Sequence, residues 1–457
     1  MTRLSLCLIA RDEEEMLPAC LASVAGAVDE IVVVDTGSRD ATARIAQEAG
    51  ARVAHLPWSD YFSAPRNAAL DLATGEFVLV LDADERLAPG SGARLREAVQ
   101  GAAFDCGMVR LHEASRLDAP PADVVGGRAR LGPPTRLPRV LRHAPDLRYT
   151  GVVHESASDW LAARGMRLAE LDADVIHLGA VPDVRARRGK RERNLSLLRR
   201  RCGLEPGNIS PFGYLALELI SYGELAEAAE VVEHGWALLG SQPPDISVLR
   251  LAVARAIVAV ELDEPERALE AVARAERAEG PGPDLCHLRG RALVLTALRR
   301  AGADEQRALA EAEASFRAAL AFAAKDTLRQ YVAGASSWAS RNGIGEVLLC
   351  RGRHDDALRA FAEALAERPE SPDGRLGEIE CLLAVKPAEA LARVEPLLDS
   401  SPDGWLLAGA AAIALGAASD ARALVAQAAA RRKNRFRSSR RTRLLSQVAR
   451  QLDLRLE

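Results

Sequence analysis

The run FVLVLDADE, residues 77–85, sets two carboxylates, Asp82 and Asp84, at i and i+2 where an apolar segment gives way to charge. Acids so spaced at the mouth of a buried strand can hold one hard divalent cation and, through it, a pair of phosphates, because Mg²⁺ and Mn²⁺ select clustered anionic oxygens. A bare D-x-D is common by chance. Its weight here comes from company, since Asp12 and Asp35 also fall at or just past the ends of apolar runs. No G-x-G-x-x-G and no G-x-x-x-x-G-K-[ST] follows a strand-like run, so neither a dinucleotide fingerprint nor a P-loop is supported.

The elements that must position these acids alternate. LSLCLI precedes a helical pattern near Met16 to Ala25, EIVVVD precedes one from Asp40 closed by Gly50, ARVAHL (51–56) precedes Pro65 to Ala73, and EFVLVLD (76–82) runs into the acidic pair. This is βαβ punctuation, and runs such as IVVV and FVLVL, apolar without alternation, fit strands covered by helices on both faces. In open parallel sheets ligands sit outside the carboxyl ends of the strands, where all four acids lie.

After about residue 205 the period becomes helical and no strand-like run is left. In RNGIGEVLLCRGRHDDALRAFAEALAERP, residues Gly345, Ala357, Phe361, Ala364 and Pro369 occupy the small, small, aromatic, small and proline positions of a tetratricopeptide (TPR) unit. The same frame puts equivalent alanines at 228, 268, 312, 357, 390 and 421. Their uneven spacing predicts insertions in the early repeats; an irregular helical bundle is the alternative. The expected division is 1–200 for the α/β domain, 201–430 for the repeats and 431–457 for a basic C-terminal helix.

A chain of 457 residues has room for two to four domains. With 60 basic against 64 acidic residues the net charge is −4, which gives no global pull toward nucleic acid, and 4% aromatic residues argue against a surface of many stacked rings. The apolar stretch Leu4 to Ala10 is too short and too soon charged for a signal peptide, and the longest uncharged apolar run, Trp405 to Ala418, falls short of a membrane span. The seven scattered cysteines have no C-x-x-C or Cys/His spacing, which disfavours disulfides and zinc and leads to the expectation of a cytoplasmic protein.

Through about 200 residues the sequence resembles the family 2 glycosyltransferases of GT-A fold. The resemblance is carried by LCLIARDEEEMLPACLASV, EIVVVDTGSRDAT, PWSDYFSAPRNAALDLATGEFVLVLDADE, YTGVVHES, and VIHLGAV followed by KRERNLSLLRRR. It is most similar to the bacterial branch with a TPR tail, whose relatives include lipopolysaccharide-core sugar transferases and peptide S-glycosyltransferases. The resemblance implies an α/β GT-A domain, Rossmann-like with a mostly parallel sheet, followed by an all-α TPR-like solenoid. It implies that Ala10, Arg11 and Asp12 line the nucleotide base, that Asp35 holds base or ribose, that Arg66 faces the phosphates, that Asp82 bonds the ribose, and that Asp84, supported by Asp82 and His177, ligates Mn²⁺ or Mg²⁺. The family usually shows asparagine at Asp12 and alanine at Pro65. Glu155 is implied as catalytic base, with His154 as its competitor. The attack of an acceptor on the anomeric carbon needs a group that takes its proton opposite the leaving nucleotide.

Other readings compete with these. Glu13 to Glu15 equally fit a solvated helix start favoured by the helix dipole. Trp58 and Phe62 fit packing as well as sugar stacking, and His177 fits a core histidine. The basic stretch Arg185 to Arg201 is either a screen for pyrophosphate or a solvated linker, and Arg431 to Arg443 is either a contact for anionic lipid heads or the cap of the solenoid. The reading is an inverting, metal-dependent transferase that moves a sugar from a nucleoside diphosphate, with a UDP-sugar favoured, to a peptide, protein or saccharide acceptor met by the TPR region. Its rival is a TPR adaptor whose GT-A domain binds nucleotide sugar without catalysis. A nucleotidyltransferase would want a basic phosphate loop where the chain has RDEEE.

Overall fold

A computed structural model of the chain describes residues 2–165, 167–187, 190–240, 246–322, 331–431 and 439–453. They form two compact units, Met1–Glu218 and Leu219–Glu457.

The first unit is built on an eight-stranded sheet in the order β3-β2-β1-β4-β7-β6-β8-β5. Its strands are β1 (Leu4–Ala10), β2 (Glu30–Asp35), β3 (Arg52–His55), β4 (Phe77–Asp82), β5 (Glu85–Leu87), β6 (Cys106–Glu113), β7 (Thr135–Arg142) and β8 (Leu168–His177). The first four are mutually parallel, as their runs predict; β7 then joins β4 antiparallel and the sheet becomes mixed. The lack of alternation in β1 and β4 has the expected cause. Leu4, Leu6 and Leu8 pack with Phe77, Leu79 and Leu81 in one core that takes in Leu17 and Leu21 of α1 (Leu17–Ser23), whereas Cys7, Val78 and Val80 pack in the other with Ala69 and Leu70 of α3 (Ser63–Leu72). Helix α2 (Thr42–Glu48) stands between β2 and β3, and the parallel strands open their carboxyl ends at one edge.

β5 to β8 were not legible as strands. β7 carries Pro138 and three arginines, and its pairing with β6 skips a residue: Gly107 faces Val140, but Met108 faces Pro138. Arg139 is thus left out of the ladder as a bulge, the one kind of interior place where a proline neighbour is tolerated and a side chain can be re-aimed.

In the second unit, helix pairs such as Trp338–Cys350 with His354–Glu367 and Pro402–Ala414 with Ala418–Arg431 pack on each other. The six alanines picked out by the repeat frame, at 228, 268, 312, 357, 390 and 421, are all fully buried. Five of them are the fourth residue of their helix, and a left-handed residue precedes four by five positions, at Gly223, Asp263, Gly352 and Gly416. The turn and the small contact therefore recur in register, which is what lets successive helices approach closely. Around Phe361, a Cβ on Gly345 would stand 2.7 Å from the ring. We expect Gly345→Ala to cost about 1–3 kcal/mol by overpacking, read as a lower Tm; an unchanged melt would mean that the ring has room to move.

The C-terminal helix Ser439–Gln451 buries Leu445 and Val448 beside Leu406 and Val425, with Leu452 just beyond it in the same cluster. Arg441, itself buried, bonds Glu380 and Asp403, and Arg440 pairs with Glu380. These apolar and basic groups are engaged inside the unit, and Arg431 bonds Gln427; residues 432–438 and the side chain of Arg443 lie outside the described residues. All seven cysteines are free, and no helix among the described residues is long and apolar enough to cross a membrane.

Candidate active site

At the strand ends the chain must turn sharply, and the acids brace those turns. Asp35 closes β2 almost fully buried, where its carboxylate accepts from the Ser38 hydroxyl, from the Gly37 and Ser38 amides at 3.3 Å, and lies 3.2 Å from His55 Nδ1. It sits level with Ala10 of β1. Asp12 adopts φ of +53°, a left-handed conformation that Asp and Asn tolerate better than most residues because a short polar side chain can bond locally. That explains why either fits. Its Oδ1 accepts from the Arg39 amide at 2.7 Å, and Glu14 accepts from Ala41 at 3.0 Å. The acidic RDEEE segment is thereby stitched to the 38–42 loop, and Arg11 stays half exposed, 3.8 Å from Asp12.

Arg66, on α3, is the hub of the site. It is 6% exposed; its Nη2 pairs with Asp82, its Nε donates to Glu155 Oε1 at 3.0 Å, and its Nη1 donates to the Leu81 carbonyl at 3.3 Å. Its protein partners are therefore the two carboxylates and a strand end, a role that the expectation of a phosphate-facing side chain did not include. Burial works against its charge, but Asp82 and Glu155 together hold it firmly protonated. The bulged Arg139 pairs with Glu85 and lies 3.7 Å from Asp82. Burial opposes ionisation of Asp82, yet Arg66 and Arg139 keep its pKa below the ordinary value. Glu85 is pushed up to about 7, chiefly by burial, with Arg139 opposing and Asp82 adding. Three carboxylates, Asp82, Glu85 and Glu155, thus meet two guanidiniums, and Asp84 adds its charge beside Asp82.

Asp84, just past β4, faces His177 at the end of β8, with 3.6 Å between carboxylate and Nε2. That is too long for a good hydrogen bond but suits two donors turned toward one ion. Burial lowers the His177 pKa, and the nearby Asp84 carboxylate more than offsets it, so the net shift is upward. Gly179 leaves the space: a Cβ there would lie 2.0 Å from Asp84 Oδ2 and 2.8 Å from His177 Nε2. The pair fits Mn²⁺ or Mg²⁺ of the kind that takes few protein ligands and completes its shell with phosphate and water. No cluster of three or more His, Cys, Asp or Glu side chains forms a metal cage among the described residues.

Glu155 projects from a loop pinned at both ends, where Thr150 and Ser156 exchange backbone bonds of 2.9 and 3.0 Å. Its neighbour His154 has φ of +52° and an exposed ring stacked on Tyr214 at 4.2 Å, so the two candidates for the base have different surroundings. Trp58 and Phe62 pack edge to face on each other at 4.7 Å. Of the basic stretch, α8 (Lys190–Leu204) sends Arg200 to the carbonyls of Ser59 and Asp60 and Arg201 to the 153–154 backbone. The side chains of Arg185, Arg187, Arg188 and Lys190 lie outside the described residues. Sequence reasoning missed Glu85, Arg139 and Ser38; only Glu85 had a visible signal, its place directly after the acidic pair.

Residues 5–154 match the family model described as glycosyl transferase family 2. A TPR repeat-containing protein of Synechococcus elongatus is 38% identical over 246 residues, 51% of this chain and 57% of its own. The SPbeta prophage-derived glycosyltransferase SunS of Bacillus subtilis is 25% identical over 206 residues, 44% of this chain and 45% of its own. The chain thus spans about half the length of these curated relatives. Among solved structures, a tetratricopeptide repeat protein from Parabacteroides merdae aligns with 57% of this chain and 94% of its own, at 17% identity and a TM-score of 0.40. Residues 5–154 thus carry a glycosyl transferase family 2 domain, and TPR-like helical repeats with buried alanines follow in the second unit.

Proposed function

We propose that the protein transfers a sugar, with inversion, from a nucleoside diphosphate donor to a nucleophilic acceptor. The observation that carries this is the bridge by which Arg66 joins Asp82, expected at the donor, to Glu155, expected at the acceptor. Arg66 fixes Oε1 of Glu155 and leaves Oε2 to receive the acceptor proton as the acceptor oxygen, nitrogen or sulfur bonds the anomeric carbon and the diphosphate leaves. Asp35 and Asp82 orient the nucleoside, and Asp84 with His177 would hold the metal. Bound there, a divalent cation supplies positive charge against the departing diphosphate. A hydrolysis screen over UDP-, GDP- and dTDP-sugars, with Mn²⁺ or Mg²⁺ and with chelator, tests the reading: metal-dependent release from one donor class supports it, and binding without turnover of any donor favours the adaptor.

The second unit selects the acceptor. Every acid placed for metal or nucleotide lies before residue 180, whereas the repeats present helices whose small contacts suit an array with a groove for an extended partner. A limit at residue 200 would cut α8, so the domain is better ended at Gly223, after the helix Ile209–Ser221. We expect that fragment, once shown folded and monodisperse, to hydrolyse donor at a rate within a few-fold of the full chain while losing transfer to the natural acceptor. Full acceptor activity in the fragment would reduce the repeats to a scaffold.

A further inference from the structure

Around Glu155 the backbone is not at rest by itself. His154 sits in the left-handed region, which is unfavourable for a non-glycine residue and persists only where the surroundings enforce it. Arg201 is the enforcing group. It is 6% exposed, its Nη1 donates to the Val153 carbonyl at 2.7 Å and to that of His154 at 3.3 Å, and its Nε is held by Glu205 at 2.9 Å. Gly151, with φ of +106°, lies directly beneath: a Cβ there would stand 3.0–3.1 Å from the guanidinium, so the glycine supplies both the turn and the room for the clamp. The other side of the loop is tied to α3, where the Phe62 amide donates to the Val152 carbonyl at 2.8 Å and Asn67 exchanges two bonds with the Tyr149 backbone. Arg66, one residue before Asn67, then receives Glu155.

We propose that Arg201 is a positioning residue for Glu155: by gripping the two carbonyls that precede it, Arg201 holds the 150–156 loop in the conformation that seats Glu155 on Arg66. The site is therefore finished by α8, which lies outside the stretch that matches the family model. A basic side chain that looked suited to an anion works instead on neutral backbone oxygens, where a buried guanidinium can satisfy two acceptors at once while Glu205 balances its charge.

The claim about chemistry rests on Glu155 being the base, but the clamp itself does not, and the test separates them. Hydrogen exchange of the full chain, without ligand, is compared for wild type, Arg201→Met, Arg201→Lys and Glu205→Gln. The amides of Thr150 and Ser156 should exchange about tenfold or more faster in Arg201→Met, with β1 and β4 unchanged, and by less in Arg201→Lys, which keeps one donor group. If Arg201→Met does not fold, Glu205→Gln, which loosens only the tether, should speed the same amides several-fold. Exchange within twofold of wild type in the folded variants overturns the proposal. In the donor screen above, Arg201→Met should lower turnover on the order of 10²-fold, the scale of a misplaced catalytic group, with UDP affinity in Mn²⁺ held within about threefold. Added to Glu155→Gln it should cost at most a further twofold. A full additional loss in that background would show Arg201 acting elsewhere and would likewise overturn the proposal, whereas undiminished turnover of Glu155→Gln alone would remove the base and leave the exchange result to decide the clamp.

Discussion

Glu155→Gln should lose about 10²–10⁴-fold in turnover while donor affinity changes by no more than a few-fold. The amide keeps the size of the side chain and an oxygen for Arg66 Nε, so the 3.0 Å contact and the hub survive. What it lacks is a lone pair basic enough to take the acceptor proton, and that loss raises the barrier by about 3–5 kcal/mol. The melting curve serves as control, because an intact hub should leave Tm within a few degrees. Turnover within a few-fold of wild type would place the base elsewhere, with His154, stacked on Tyr214, the next residue to replace.

Asp84→Ala should abolish the metal-dependent part of donor binding. Calorimetry of UDP with Mn²⁺ should show affinity lower by about 10²-fold or more, because an anionic ligand is removed from a dication that has few other protein ligands. The fold should persist and its Tm should hold, since relief of the repulsion between Asp84 and Asp82 offsets the loss of the 3.6 Å pairing with His177. An unaltered UDP affinity, equal with and without Mn²⁺, would make Asp84 a structural acid whose work is its pairing with His177.

Much of the first unit was legible because burial on both faces writes itself into sequence as unbroken apolar runs, and β1, β2 and β4 are such runs, whereas the short, half-exposed β3 was legible only from its place in the alternation of strands and helices. The later strands were not, since each carries charge that the structure satisfies locally: Arg110 and His112 of β6 meet Asp174 of β8, and Arg139 of β7 meets Glu85. A charged residue in a strand has no periodic signature, and its partner lies tens of residues away. The repeat alanines were legible for the opposite reason, because their spacing is local and their burial follows from helical geometry alone.

By itself, then, the sequence determined the two-part architecture, the strand-end acids and the acidic pair, because all of these depend on periodicity and on residues within one or two turns of each other. Only the tertiary structure decided what those acids do for one another. That Arg66, paired with Asp82, reaches Glu155 across 89 residues, that a skipped residue in β7 turns Arg139 toward Glu85, and that Arg201 grips the loop beneath Glu155 each require chain segments to meet that no local rule connects. Their physical reason is the same in each case: a buried charge must find its counter-charge or a carbonyl wherever the fold supplies one, and that place is fixed by packing rather than by spacing.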